Sequence, residues 1–153
     1  MGNDPQSVVI LLADDDPEDR EMTRKALVKN RLANDLYEVE DGEELLDFLN
    51  HRGKHAPPAP SPTPGLILLD LNMPKKDGRE ALAEIKKDRM LRRIPVVVMT
   101  TSKAEEDIVR MYELGSNSFI NKPVTLGALI DVTMVLGQYW FQIVTLPEGA
   151  TGR

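Results

Sequence analysis

The sequence predicts an α/β domain: a doubly wound sheet of five parallel strands in the order 2-1-3-4-5, with five helices. Short, continuous apolar runs alternate with segments of helical period along the chain. Runs of that kind are strands buried on both faces, which belong to a parallel sheet covered by helices. Carboxylates also follow directly on two of the runs, Asp14 and Asp15 after the first and Asp70 after the third. In the 2-1-3-4-5 order the first and third strands flank the switch point, where ligands bind at the carboxyl edge of the sheet.

Val8–Ala13 is the first apolar run, and Asp14-Asp15-Asp16-Pro17 ends it. Asp16 reads as an N-cap and Pro17 as the first helical residue, with Glu18 and Asp19 favouring the positive end of the helix. Met22, Ala26 and Leu27 keep helical spacing to about Asn30. Leu36–Glu40 is a short second strand. Asp41 to Glu44 then forms a capping box, and Leu45, Leu46, Phe48 and Leu49 line a helix to about His51. Arg52–Pro64 holds Pro57, Pro58, Pro60, Pro62 and Pro64, so it reads as an extended surface connector, with His51 and His55 as surface residues.

Leu66–Leu69 is the third strand and runs straight into Asp70 and the turn Asn72-Met73-Pro74. Asp77 to Glu80 is another capping box, with Ala81, Leu82 and Ile85 behind it. Ile94–Met99 is the fourth strand, ending in Thr100-Thr101-Ser102. Ser102 opens a fourth helix carried by Ile108, Met111 and Leu114 to the stop at Gly115. Ser118–Asn121 is the fifth strand, followed by Lys122-Pro123. Thr125 caps a last helix to about Val144. Right-handed crossovers leave few topologies for five such units, and the flavodoxin-like order fits.

With 153 residues, one domain is expected, and 41% hydrophobic with 29% charged residues is ordinary for a globular protein. The net charge of −6 argues against nucleic acid as a direct partner. The absence of cysteine excludes disulfides and thiolate metal sites and fits a cytoplasmic location. Residues 1–7 are polar, show no secretory signal and are expected to be disordered. No run is long enough to span a membrane.

Three carboxylates at one crevice repel: two unit charges about 4 Å apart interact by roughly 4 kcal/mol near a protein surface. That cost is sensible where a divalent cation sits. Oxygen ligands without His or Cys suit Mg²⁺, with Mn²⁺ as a substitute, and Mg²⁺ keeps waters and bridges to phosphate. Lys122 and Thr100, each at the end of another strand, supply a cation and a hydroxyl on the same edge. Taken singly each residue has an ordinary reading: Asp14 and Asp15 as turn acids, Asn72 as a turn residue, Lys122 as a solvated charge. Their joint placement points to phosphoryl transfer onto a carboxylate.

Asp14-Asp15, Asp70 within Leu-Leu-Asp-Leu-Asn-Met-Pro, Asp77-Gly78, Thr100 and Lys122-Pro123 together resemble the receiver domain of two-component response regulators, over residues 8–145 with no output domain and a tail at 146–153. The resemblance implies that Asp70 accepts a phosphoryl group from a phosphohistidine of a sensor histidine kinase. It further implies that Asp15, Asp70 and the Asn72 carbonyl hold Mg²⁺, with Asp14 acting through water. Thr100 and Lys122 would contact the phosphoryl oxygens, and Lys122–Pro123 would be cis. Thr100 and Phe119 would form the switch, with Phe119 replacing the Tyr often found there, and Asn72 and Ser102 match positions thought to tune hydrolysis. The segments Asn34–Leu36, Asp41–Leu49, Arg92–Pro95, Tyr112–Gly115 and Tyr139–Phe141 are similar to the single-domain regulators paired with phytochrome histidine kinases.

The last helix is apolar nearly all round, from Leu126 to Val144, where one buried stripe needs about a third to a half of the positions. A symmetric dimer through the fourth helix, fifth strand and fifth helix would cover the rest, with Tyr112, Trp140 and Phe141 in the interface. Three other functions compete. A Mg²⁺-dependent phosphatase wants a general acid two residues after the nucleophile, where this chain has Asn72. A phosphorylation-independent binding module would not need the filled site. A carrier in a phosphorelay would use the same residues.

Overall fold

The computed structural model describes residues 8–32, 35–100, 108, 110, 112–115, 118–123 and 125–139, with the backbone alone at 118 and 119. Five strands, β1 (Val9–Ala13), β2 (Asp35–Val39), β3 (Leu66–Leu69), β4 (Val96–Thr100) and β5 (Ser118–Asn121), form one parallel sheet in the order β2-β1-β3-β4-β5. The helices are α1 (Pro17–Lys29), α2 (Gly42–Asn50), α3 (Gly78–Lys87) and α4 (Leu126–Gln138). The described residues thus hold four α-helices against five expected. The one expected from Ser102 to Leu114 falls mostly outside them, although Ile108, Arg110, Tyr112 and Glu113 are helical.

Strand side chains alternate between faces, and here both faces are apolar. Leu11, Ala13, Ile67, Leu69, Val96 and Val98 pack with Leu45, Phe48, Leu82 and Ile85 of α2 and α3. Ile10, Leu12, Leu66, Leu68, Val97 and Met99 pack with Ala26 and Leu27 of α1 and Leu129 and Leu136 of α4. That two-sided burial fixes the register and places the carboxyl ends of β1 and β3 side by side, with Ala13 opposite Leu69.

Element ends follow local chemistry. Asp16 caps α1, accepting from the Glu18 and Asp19 amides, and the Asp77–Glu80 capping box at α3 is complete. At α2 only half of the expected box forms. Asp41 accepts from the Glu44 amide at 2.7 Å, but the Glu44 carboxylate takes the Glu40 amide at 2.8 Å. β2 spans Asp35–Val39, one residue earlier at each end than the sequence predicts. β4 starts at Val96 rather than Ile94, because Pro95 has no amide to donate and the Ile94 amide closes a turn onto Leu91. The helix α2 stops at Asn50, with His51 left-handed at φ 57°.

The proline-rich segment is more than a plain connector. It opens with a 3-10 turn at Gly53–His55. His55 is half-buried, edge-on to Phe48 at 5.0 Å between ring centroids and 2.9 Å from Glu44. Although burial works against the Glu44 charge, its bonds from the Glu40 amide, His55 and Lys54 hold its pKa below the ordinary value. Among the described residues the cis peptide is Pro57–Pro58. The cis bond expected at Lys122–Pro123 is not found, and trans is the lower-energy form of an X–Pro bond by about 0.5–1 kcal/mol.

Two glycines mark close backbone approaches. A Cβ on Gly42 would lie 1.9 Å from the Lys76 carbonyl oxygen, and one on Gly78 would lie 2.5 Å from that of Asp70. Gly42→Ala must therefore push the loop after β3 off the start of α2. We expect it to cost about 2–3 kcal/mol, read as a lowered urea midpoint at unchanged slope. A cost below about 0.5 kcal/mol would mean that the loop yields freely.

Candidate functional site

Each acid of the site is delivered by a strand end. Asp14 follows β1 and is 1% exposed, with its amide donating to the Val39 carbonyl at 3.1 Å. Asp70 follows β3 and is 8% exposed, with its amide donating to the Ala13 carbonyl at 2.9 Å. Asp15 is exposed beside them. One carboxylate oxygen from each of Asp14, Asp15 and Asp70 lies within 4.8 Å of the others, and these three form the acid cluster among the described residues.

Lys122 comes in from the end of β5, with its amide bonded to the Thr100 carbonyl at 2.8 Å. Its side chain is nearly buried. Its Nζ lies 2.7 Å from Asp14 Oδ2, 3.1 Å from Asp19 Oδ2 and 3.6 Å from Asp70 Oδ2. Burial pushes the Asp14 carboxyl above its ordinary pKa, and the hydrogen bond from Lys122 pulls it only part of the way back. Burial also works against the Lys122 charge, but the bond to Asp14 and the charge of Asp70 outweigh it and raise the lysine pKa. Asp14 moves up through burial and Lys122 through its carboxylate partners, and with several carboxylates sharing one ammonium the cluster is net negative. Oxygen-only ligands with surplus negative charge suit a hard divalent cation. A small cavity lined by Leu12, Thr23, Leu68, Met99 and the three charged residues Asp14, Asp70 and Lys122 lies beneath.

The other expected residues sit as follows. Thr100 is fully buried at the end of β4, opposite Asn121. Asn72 is exposed in the loop after β3, its amide 3.5 Å from Asp70 Oδ1. The backbone of Phe119 pairs with Val98, and Tyr112 is exposed. Ser102, Trp140 and Phe141 lie outside the described residues.

Two residues were missed at the sequence level. In the sequence Asp19 is an ordinary helix-end acid; in the fold it shares Lys122 with Asp14. Arg20 donates to the Asp14 carbonyl at 2.9 Å while its guanidinium pairs with Glu38 and Glu40 of the β2 edge. The available signal was position. Helical side chains lean toward the N-terminus, so acids and bases in the first turn of α1 lean back over the end of β1.

A sheet of this topology with clustered acids at its switch point and a buried lysine opposite defines a class. The chain belongs to the response regulator receiver domain family, whose profile matches residues 10–133. It is 42% identical over 139 residues to Response regulator Rcp1 of Synechocystis sp., covering 91% of this chain and 92% of that protein. The Mn²⁺-bound form of Rcp1 superposes with a TM-score of 0.82, covering 92% of this chain and 99% of that one. The phosphorylated cyanobacterial phytochrome response regulator RcpA superposes at 0.84 with 40% identity and the same coverage. The Probable methanogenesis regulatory protein FilR2 of Methanothrix harundinacea is 34% identical over 133 residues, covering 86% of this chain and 83% of that protein.

This is therefore a two-component signalling protein rather than a general catalyst, related to phytochrome response regulators. Receiver domains act with sensor histidine kinases, and the acid cluster fits the divalent cation that receiver domains hold. Among the described residues no helix is long and apolar enough to cross a membrane.

Proposed function

We propose that Asp70 accepts a phosphoryl group from a phosphohistidine of a sensor histidine kinase and that the chain signals through changed protein contacts. The observation that carries this is the cluster of Asp14, Asp15 and Asp70 oxygens within 4.8 Å of one another, with Lys122 Nζ 3.6 Å from Asp70. A carboxylate oxygen of Asp70 attacks phosphorus. The new O–P bond forms as the N–P bond to imidazole breaks, and the departing ring nitrogen keeps the electron pair and takes up a proton.

Asp15, Asp70 and the Asn72 carbonyl would hold Mg²⁺, or Mn²⁺ in its place, with Asp14 acting through water. When bound, the cation neutralises the charge that gathers on the transferring oxygens. Lys122 and Thr100 orient those oxygens from the other side. A phosphoryl group adds about −1.5 to −2 charges and three acceptors. Thr100 would be drawn toward them, with Phe119 as its partner in the switch, and the surface at β5 and α4 would change. The similarity to Rcp1 and RcpA favours a phytochrome as the kinase, in the cytoplasm.

That surface also suits a homodimer. One face of α4 is buried through Leu129, Thr133 and Leu136, while Met134, Val135 and Tyr139 are exposed, as is Tyr112. Trp140 and Phe141 would anchor the partner. Phe141→Glu is expected to halve the solution mass of a dimeric parent in light scattering, and an unchanged mass would remove Phe141 from the interface.

The test of the phosphoacceptor reading is intact mass after incubation with Mg²⁺ and acetyl phosphate. One added phosphoryl group, absent when EDTA is present, supports it. No adduct under rapid sampling, with either acetyl phosphate or a phosphorylated kinase as donor, would overturn it.

A further inference from the structure

We infer that Asp19 is a positioning residue of the site: it holds the Lys122 ammonium away from Asp70 in the resting state and gives it up on phosphoryl transfer. The inference rests on Asp70 being the phosphoacceptor. An ammonium has three N–H donors. Two of them reach Asp14 at 2.7 Å and Asp19 at 3.1 Å, whereas Asp70, at 3.6 Å, is beyond hydrogen-bond distance. A third donor is unused, but the two bonds hold Nζ 3.6 Å from Asp70; drawing it nearer to a phosphoryl group there loads both, and the longer one, to Asp19, yields first.

The two are not equally free to do so. Asp14 is buried, and its second carboxylate oxygen accepts the Asp16 amide at 3.0 Å, so it is held from both ends. The Asp19 side chain is 33% exposed, lies in the first turn of α1, and can be taken back by water when the lysine leaves. Its bond to Lys122 is therefore the exchangeable one. It stabilises the resting state and is lost on the way to the transition state, so it sets how readily the site is charged rather than how long the charge persists.

Asp19→Asn keeps the shape and removes the charge that holds the lysine. Uptake from acetyl phosphate with Mg²⁺, followed by intact mass, is expected to quicken about three- to fivefold. Loss of the phosphoryl group after donor removal is expected to stay within about twofold of the parent, because the Asp19 contact is already broken in that state. Asp19→Glu, which keeps the charge, should return uptake toward the parent rate. Glu18→Gln removes the same charge from the same turn without a contact to Lys122 and should leave uptake unchanged.

Uptake unchanged or slower in Asp19→Asn, with thermal unfolding like the parent's, would overturn the inference. So would uptake and loss shifting by the same factor, or Glu18→Gln acting like Asp19→Asn, since either would mean bulk charge and no positioning. A parent that takes up no phosphoryl group overturns the phosphoacceptor reading and this inference with it. A labelled parent with an indifferent Asp19→Asn overturns this inference alone.

Discussion

Asp70→Asn is expected to take up no phosphoryl group from acetyl phosphate or from a phosphorylated kinase, while folding at least as well as the parent. An amide oxygen is too weak a nucleophile to replace the carboxylate, so the loss is complete rather than partial. The folded state is spared because Asp70 gives little to it. Its side chain makes an ion pair with Lys122 at 3.6 Å and a marginal bond from the Asn72 amide at 3.5 Å, and it faces two other acids. Removing one of three clustered charges relieves repulsion, so metal-free stability should rise by about 1 kcal/mol. Divalent-cation affinity should fall about tenfold or more, because one ligand loses its charge. Urea unfolding in EDTA and Mn²⁺ titration read these two effects. A variant less stable than its parent would mean that Asp70 supports the fold in a way its contacts do not explain.

Lys122→Ala is the second large effect, and it acts on stability and chemistry together. The ammonium is nearly buried and serves Asp14, Asp19 and Asp70. Taking one partner from a buried ion pair commonly costs about 3–5 kcal/mol. Part of that is recovered here, because the Asp14 carboxyl is already pushed up by burial and protonates more readily once its lysine is gone. A net loss of about 2–3 kcal/mol is expected near neutral pH without metal. Mg²⁺ should shrink the loss, since a divalent cation can replace the missing positive charge and binds the more negative cluster more tightly. Phosphoryl uptake should drop about a hundredfold, the scale of losing one preorganised charge at a transferring group. Equal destabilisation with and without Mg²⁺ would contradict the shared-charge account of the cluster.

Much of this was legible in the sequence, for identifiable reasons. Strands buried on both faces need continuous apolar runs, so Leu66–Leu69 and Val9–Ala13 could be read off directly, and the acids that follow them stood out against that background. Caps were visible where a side chain bonds within its own turn, as at Asp16 and Asp77. Contacts between distant segments were not visible. The Glu44 carboxylate could be placed three residues from a cap, but its diversion to the Glu40 amide and His55 depends on how the proline-rich segment returns. Asp19 and Arg20 looked like ordinary first-turn charges because the lysine and the carbonyl they meet come from β5 and β1. The family resemblance implies a cis peptide before Pro123, and this chain differs from it.

The most direct measurement of the central claim is chemical mapping of the modified residue. The protein is charged with acetyl phosphate and Mg²⁺, treated with borohydride, digested and sequenced by mass spectrometry. Borohydride reduces an aspartyl phosphate to homoserine and leaves free carboxylates alone, so it separates Asp70 from its neighbours Asp14 and Asp15. Homoserine at position 70, and at neither 14 nor 15, is the predicted result. Homoserine at another acid, or a phosphoryl group that survives borohydride, would contradict the assignment of Asp70 as the acceptor.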